Sequence, residues 1–238
     1  MEVKLEIGPG RVAHASGALF IASANTLLIA DAHLGYGWAQ RRRGQLGPLT
    51  DGGIVDRLFG ALDAFSPAEI LFLGDTVHAP RPMPAEREFI EGVLLRLVAK
   101  ARVAVVLGNH DRAFERDFGH LPVKVDKQWR HGEILGLHGD RLHLELPEAG
   151  HYLIGHLHPA ISVRDDAGAQ RRVPAFLVSD TATLLPAFSP FAAGFDVSTD
   201  ALPAAVSQIL GPHKVYPVTG RQIVWMPPGA IRASRSGR

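Results

Sequence analysis

The sequence predicts an α/β fold with its functional site at the carboxyl ends of the central strands. Two observations carry that expectation. Short, continuous apolar runs, the pattern of strands covered on both faces, alternate with amphipathic helical segments. Five of those runs also end in a residue bearing a carboxylate, an amide or an imidazole.

Taken in order, residues 3–7 and 18–22 read as short strands parted by Gly8, Pro9, Gly10 and Gly17, and residues 26–30 run straight into Asp31. A helix over residues 53–65 places Ile54, Leu58, Leu62 and Phe65 on one face. Residues 70–73 then precede Gly74-Asp75, and a second helix over 84–100 carries Phe89, Val93, Leu94 and Leu97. Residues 103–107 precede Gly108-Asn109, residues 134–137 precede His138, and residues 152–154 precede Gly155-His156. In an open α/β sheet of this order, ligands gather in the crevice beyond the carboxyl ends of the strands. After Ile161 the chain turns to strands and Pro- and Gly-rich loops with one short helix over 202–210. One domain over residues 1–229 with a basic, frayed tail over 230–238 is expected.

Composition removes several functional classes. Lys plus Arg number 25 against 24 Asp plus Glu, so no global field draws in polyanions and any such binding is local. The absence of cysteine excludes disulfides, thiolate zinc sites and cysteine nucleophiles, leaving imidazole and carboxylate as side-chain metal ligands. No apolar run is long enough for a membrane span and residues 1–10 lack the apolar stretch of a signal peptide, so a cytoplasmic protein is expected.

The strand ends read Asp31-Ala-His33, Gly74-Asp75-Thr-Val-His78, Gly108-Asn109-His110-Asp111, His138-Gly139-Asp140 and Gly155-His156-Leu-His158. If the chain stays extended, Asp31 and His33 point to one face, as do His156 and His158, and each pair can grip one ion or flank two. Asp31, His33, Asp75, Asn109, His138, His156 and His158 are too many for one tetrahedral zinc. They suit two divalent ions about 3.5–4 Å apart, the arrangement that clamps the attacking and leaving oxygens of a phosphate ester. An isolated histidine is more often a surface or satisfied core residue, and His14, His120, His131, His143, His151 and His213 are left unassigned on that ground.

Through D-x-H, G-D, G-N-H-D, H and G-H-x-H in this order, the chain resembles the calcineurin-like metallophosphoesterases from Asp31 to His158. The resemblance implies an αββα sandwich of two mixed sheets flanked by helices. It further implies one ion on Asp31, His33 and His158, a second on Asn109, His138 and His156, and Asp75 bridging them. A metal-bridging hydroxide would be the nucleophile, and His110 the residue that contacts phosphate and protonates the leaving oxygen. Manganese is the expected metal, with iron, cobalt and zinc compatible with the same donors. Asp111 and Asp140 are expected to orient loops and histidines rather than to ligate.

The substrate is read from weaker signals. His78, three residues after Asp75, resembles the active-site histidine of SbcD-type nucleases, or it caps the following loop. His33-Leu-Gly35, Arg42-Arg43-Gly44, Gly155-His-Leu-His-Pro-Ala160 and Leu185-Pro-Ala-Phe188 resemble the ligase-associated DNA damage response endonucleases of the PdeM branch. Tyr36 departs from the Lys usual in that branch. It can wall the pocket and stack on a base, or pack into the core. Arg41, Arg42 and Arg43 can hold a phosphodiester backbone or form a solvated helix face, and Arg171 and Arg172 are weaker candidates in a surface hairpin near Asp165 and Asp166. The preferred function is phosphodiester hydrolysis in DNA. A small-molecule or cyclic-nucleotide phosphoesterase is second, an inactive scaffold last because no ligand is missing, and a homodimer follows from the resemblance alone.

Overall fold

The computed structural model describes residues 3–44, 51–142, 146–164, 169–192 and 194–227. The expected tail, the Asp165-Asp166 turn and His143 lie outside the described residues. Two β-sheets pack face to face, and helices cover the outer faces. The first sheet opens with an antiparallel meander, β1 (Lys4–Gly8), β2 (Arg11–His14), β3 (Leu19–Ile21) and β4 (Thr26–Ile29). It continues in parallel through β5 (Glu69–Leu73), β6 (Arg102–Val106) and β7 (Val123–Asp126). Its connections carry α1 (Tyr36–Arg42), α2 (Asp51–Phe65), α3 (Pro84–Val98) and α4 (Phe114–Phe118).

The second sheet contains β8 (Trp129–His131), β9 (Ile134–Leu137), β10 (His151–Ile154), β11 (Pro159–Arg164), β12 (Gln170–Val178), β13 (Ala182–Leu184) and β14 (Phe195–Asp196). Its order is β14-β11-β12-β13-β10-β9-β8. After α5 (Ala204–Leu210), β15 (Lys214–Pro217) also pairs with β12. Within it β9, β10 and β13 run parallel, so β9 and β10 end together as β4, β5 and β6 do in the first sheet.

The four layers follow from the period-2 alternation of strand side chains. On β4, β5 and β6, Leu27, Ile29, Ile70, Phe72, Val103 and Val105 face outward, onto Ile54, Leu58 and Leu62 of α2 and Ile90, Leu94 and Leu97 of α3. Their neighbours Leu28, Leu71, Leu73, Ala104 and Val106 face inward, where they meet Leu153, Phe176 and Val178 of the second sheet. The alternate residues Ile154, Ala175 and Leu177 then face out toward Val206 and Leu210 of α5. Apolar residues on consecutive positions are therefore required by two cores, one on each face. Among the described residues no helix is long and apolar enough to cross a membrane.

Most expected elements stand where the periodicity puts them. β2, β7, β8 and α4 are too short to show a period and have no counterpart among the expected elements, and α1 is signalled only as a possible helix face at Arg41 to Arg43. Pro84 opens α3, where a missing N–H costs nothing, and Glu86 accepts the Met83 N–H at 3.1 Å.

Phe72 is fully buried between the first sheet and its helices. Phe72→Ala is expected to destabilise the fold by about 3–5 kcal/mol in denaturant unfolding, through lost transfer energy and the cavity left behind.

Candidate metal centre

The carboxyl ends of β4, β5, β6, β9 and β10 bring all seven expected ligands together. The loops after β4 and β5 are held to each other by backbone pairing that outlasts the strands. Asp31 N donates to Gly74 O at 3.1 Å, His33 N to Asp75 O at 2.9 Å, Leu34 N to Thr76 O at 2.8 Å and His78 N to Leu34 O at 2.8 Å. Within the second sheet, Gly155 N donates to His138 O at 2.9 Å, and the segment after β13 crosses to the first sheet through Phe188 N to Ala30 O at 2.8 Å.

The expectation of extended pairs is corrected here. Asp31, His33, Asp75, His156 and His158 have φ of 53°, 46°, 46°, 62° and 50°, the left-handed region, and all lie past the last residue of their strands. Each non-glycine residue held there costs of order 1–3 kcal/mol. The turn it makes swings the side chain off the strand axis and over the sheet end, so Asp31 and His33 converge by turning rather than by alternation. Gly74, at φ 81°, is needed for space as well: a Cβ there would fall 1.9 Å from His138 Nδ1.

Two clusters result. Ligand atoms of Asp31, His33 and His158 lie within 4.8 Å of one another, as do those of Asp75, His138 and His156. In the first, His158 Nε2 is 3.1 Å from Asp31 Oδ1, and neither atom has a hydrogen-bond partner among the described residues, nor does the buried His33 Nδ1. In the second, Asn109 Oδ1 at 3.0 Å, His156 Nδ1 at 3.1 Å and Asp75 Oδ1 at 3.5 Å crowd around His138 Nε2. A neutral imidazole nitrogen can donate to only one of these. Buried polar atoms are ordinarily satisfied, and converging acceptors without donors are what a divalent cation on each cluster resolves. The donor set, nitrogen and oxygen without sulfur, fits manganese, iron, cobalt or zinc.

Electrostatics favour ligation. Burial holds the His33 imidazole down at about 3, opposed by Asp31 and reinforced by His158, His110 and His78. Burial and His138 also lower His156, so both rings are neutral and ready to coordinate at neutral pH. His158 is the opposite case: burial disfavours its cation, but the Asp31 carboxylate outweighs that and raises it.

His110 lies beside the clusters, its Nδ1 2.6 Å from the His78 carbonyl and its Nε2 4.0 Å from Asp75 Oδ2. Since a carbonyl only accepts, Nδ1 carries a proton, and Nε2 is the nitrogen free to exchange one. The His110 N–H also donates to Asp75 Oδ1 at 2.8 Å. Asp111 accepts from Thr76, Val77 and Gly108 N–H groups at 3.2, 3.0 and 3.0 Å, tying the β5 loop to the β6 loop, and burial pushes its carboxyl up to about 6. That is the orienting role expected of it.

His78 contributes more than the sequence suggested. Its carbonyl anchors His110, and its ring, held down at about 4 by burial, His110, Arg43 and Arg42, forms a third cluster with His33 and His110. Tyr36 stacks on Phe191 with centroids 4.9 Å apart and meets His78 edge-on at 4.9 Å. Arg41 and Arg42 end α1, with Arg43 capping it, and Arg42 Nη1 donates to Arg81 O at 3.1 Å. Of the unassigned histidines, His151 is a satisfied core residue, bonded to Asp180 O at 2.9 Å and Thr183 Oγ1 at 3.0 Å. By sequence, residues 179–191 suit a strand and turn covering the second sheet, with no catalytic assignment, and the direct contact of this stretch with the metal ligands has no sequence signal. Ser189 N donates to Asp31 O at 3.1 Å, which places this segment against the metal ligands.

A family model of the calcineurin-like phosphoesterases matches residues 24–173, and the chain belongs to that family. It is a metal-dependent phosphoesterase. Among solved structures it is similar to the nuclease MPE of Pseudomonas putida, at 23% identity and a TM-score of 0.69 over 94% of this chain and 98% of that one. It also matches the phosphoesterase YfcE of E. coli at 12% identity and a TM-score of 0.43, over 84% of this chain and 96% of that one. No curated protein matches it significantly.

In metal-free protein, ring NMR is expected to show His33 neutral from pH 8 down to about 4, since its value of about 3 lies below its ordinary 6.5. His158 is expected to protonate above 6.5, the sign of its raised value. A His33 ring that protonates near 6.5 would contradict the buried geometry.

Proposed function

We propose that the protein hydrolyses phosphodiesters, with DNA as the substrate class, using two divalent ions of which manganese is the preferred one. The observation that carries this reading is an open mouth. Asp31, Asp75 and His138 are buried, but His156 is exposed and the His110 side chain is 33% exposed, so the donors form the floor of a surface site. A chain whose reacting phosphate is internal has to lie across such a site, whereas a small nucleotide is served by a closed pocket.

Asp31, His33 and His158 would hold one ion, Asn109, His138 and His156 the other, and Asp75 would bridge them. Such ions supply Lewis-acid charge that activates a water and offsets the charge of the phosphate. The chain's own residues do the rest. The His78 carbonyl fixes the His110 ring, leaving Nε2 to give its proton to the departing oxygen. Asp111 keeps the β5 and β6 loops in register, so His110 and Asp75 keep their spacing. Tyr36 and His78 wall the mouth, with Arg42 and Arg43 at its rim.

With manganese, bis-p-nitrophenyl phosphate is expected to be hydrolysed faster than p-nitrophenyl phosphate, and single-stranded or nicked DNA to be cut. Activity confined to the monoester would sink this reading. His110→Ala is expected to keep both ions, counted by anomalous scattering, and to lose roughly 10²–10⁴-fold in kcat, the worth of a positioned proton donor. Two empty sites in that variant would instead make His110 a structural element of the centre.

A further inference from the structure

Beside His158 a cleft of about 490 Å³ opens between the β11–β12 ribbon and residues 187–192 with Gly194. It lies within the ~300–1,000 Å³ range of ligand pockets. Ala160, Val173, Pro174, Ala187 and Pro190 give it apolar surface, and Arg57, Arg171 and Arg172 give it charge. Three arginines without a carboxylate among the described lining residues set it apart. Three further cavities beside the described residues mix acids with bases, as Glu69 and Asp126 do with Arg102 and Lys124 at the far end of the first sheet.

The cleft is built into the metal centre by hydrogen bonds on both walls. One wall is tied to the centre through Ser189 N, which donates to Asp31 O at 3.1 Å. On the other, Phe195 N donates to His158 O at 2.9 Å, and Arg172 Nη1 holds the Gly194 carbonyl at 2.8 Å. Arg57 reaches it from α2, its guanidinium 4.9 Å over the Phe188 ring and bonded to the Ser16 carbonyl. Among the described residues its partners are thus a ring face and a neutral oxygen, neither of which carries a countercharge. Arg171 and Arg172 are exposed on β12. An anion entering here meets fixed charge, apolar surface and, at the inner end, a ligand of the first cluster.

We infer that this cleft holds the single-stranded polynucleotide segment on one side of the scissile phosphate, its sugars and bases on the apolar surface and its backbone phosphates on Arg57, Arg171 and Arg172. The inference rests on the phosphodiester reading and deepens it, since a scissile phosphate within a chain needs a bound flank and a monoester does not. It adds to the α1 arginines at the rim of the site the ribbon arginines ranked second from sequence. Guanidinium forks suit phosphate oxygens, and aliphatic surface accepts bases without reading their sequence, so cleavage is expected to depend weakly on sequence.

The test measures KM for a fluorescent single-stranded oligonucleotide with manganese across a salt series. It compares the full chain with the Arg171→Ala/Arg172→Ala variant and with Lys124→Ala/Arg130→Ala, which removes equal charge at the far end of the sheets. The first variant is expected to raise KM at least 10-fold and to flatten the salt slope by about 1.4, two contacts at ~0.7 each for single strands. Unchanged manganese affinity by calorimetry would show the centre intact. The control variant is expected to leave KM and slope in place. An unchanged KM and slope in the first variant, an equal change in both, or wild-type cleavage of a dinucleotide as efficient as that of the oligonucleotide would overturn the assignment. A wild-type protein inactive on the oligonucleotide and on bis-p-nitrophenyl phosphate alike would overturn the phosphodiester reading and this occupant together.

Discussion

The structure turns on a single buried carboxylate. Asp31 is wholly inaccessible, and all of its polar groups but Oδ1 are hydrogen-bonded to different parts of the chain. Its N–H joins the β5 loop through Gly74 O, its carbonyl takes Ser189 N from the segment after β13, and Oδ2 takes His156 N at 2.9 Å from the second sheet. Oδ1 is left 3.1 Å from His158 Nε2 and 3.7 Å from His138 Nδ1, facing both clusters. Burying an ionised carboxylate is costly unless its charge is matched. Imidazoles can offset that charge only by holding a proton they would give up on ligation, whereas a divalent cation matches it directly. Assembly of the two sheets and binding of metal are therefore coupled at this residue, since each supplies what the other needs to bury that charge.

The strained backbone follows from the same requirement. Parallel strands end side by side about 4.8 Å apart, too far for side chains rising straight from the sheet to share an ion. Left-handed turns at Asp31, His33, Asp75, His156 and His158 fold the donors inward. The conformational cost is borne because neighbouring loops hold each turn on several sides, as Asp111 does by accepting three backbone amides. Small non-local contacts of this kind pre-organise the donors before any ion arrives, and they explain why the site tolerates so little added bulk at Gly74.

Much of this was legible in the sequence, and the division is physical. Continuous apolar runs exist because β4, β5 and β6 are buried on both faces, and a run that stops at Asp31, Asp75 or Asn109 marks the point where the strand meets the site. Strand order and ligand identity could be read together for that reason. What could not be read depends on contacts without a local signature. A turn at φ near 50° leaves no trace in residue type when the residue is Asp or His rather than Gly, so the ligand pairs looked extended. The anchoring of His110 uses a backbone carbonyl, which carries no side-chain identity at His78. Helix α1 is too short for periodicity, so phosphate-binding and solvated-helix readings of Arg41, Arg42 and Arg43 stand equal in the sequence.

The arginines mark the limit of composition as a guide. A net charge of +1 describes the whole surface and says nothing of any one cleft. Arg57, Arg171 and Arg172 come from a helix and a strand far apart in sequence, and they meet because residues 185–192 turn back to pair with Ala30 and Asp31. The contact that closes the wall of the cleft thus also seats the buried carboxylate of the metal centre. Under the proposed function this joins recognition to chemistry. A strand in the cleft would lie against the same segment whose Ser189 N–H is bonded to Asp31 O, so recognition and chemistry would share one wall.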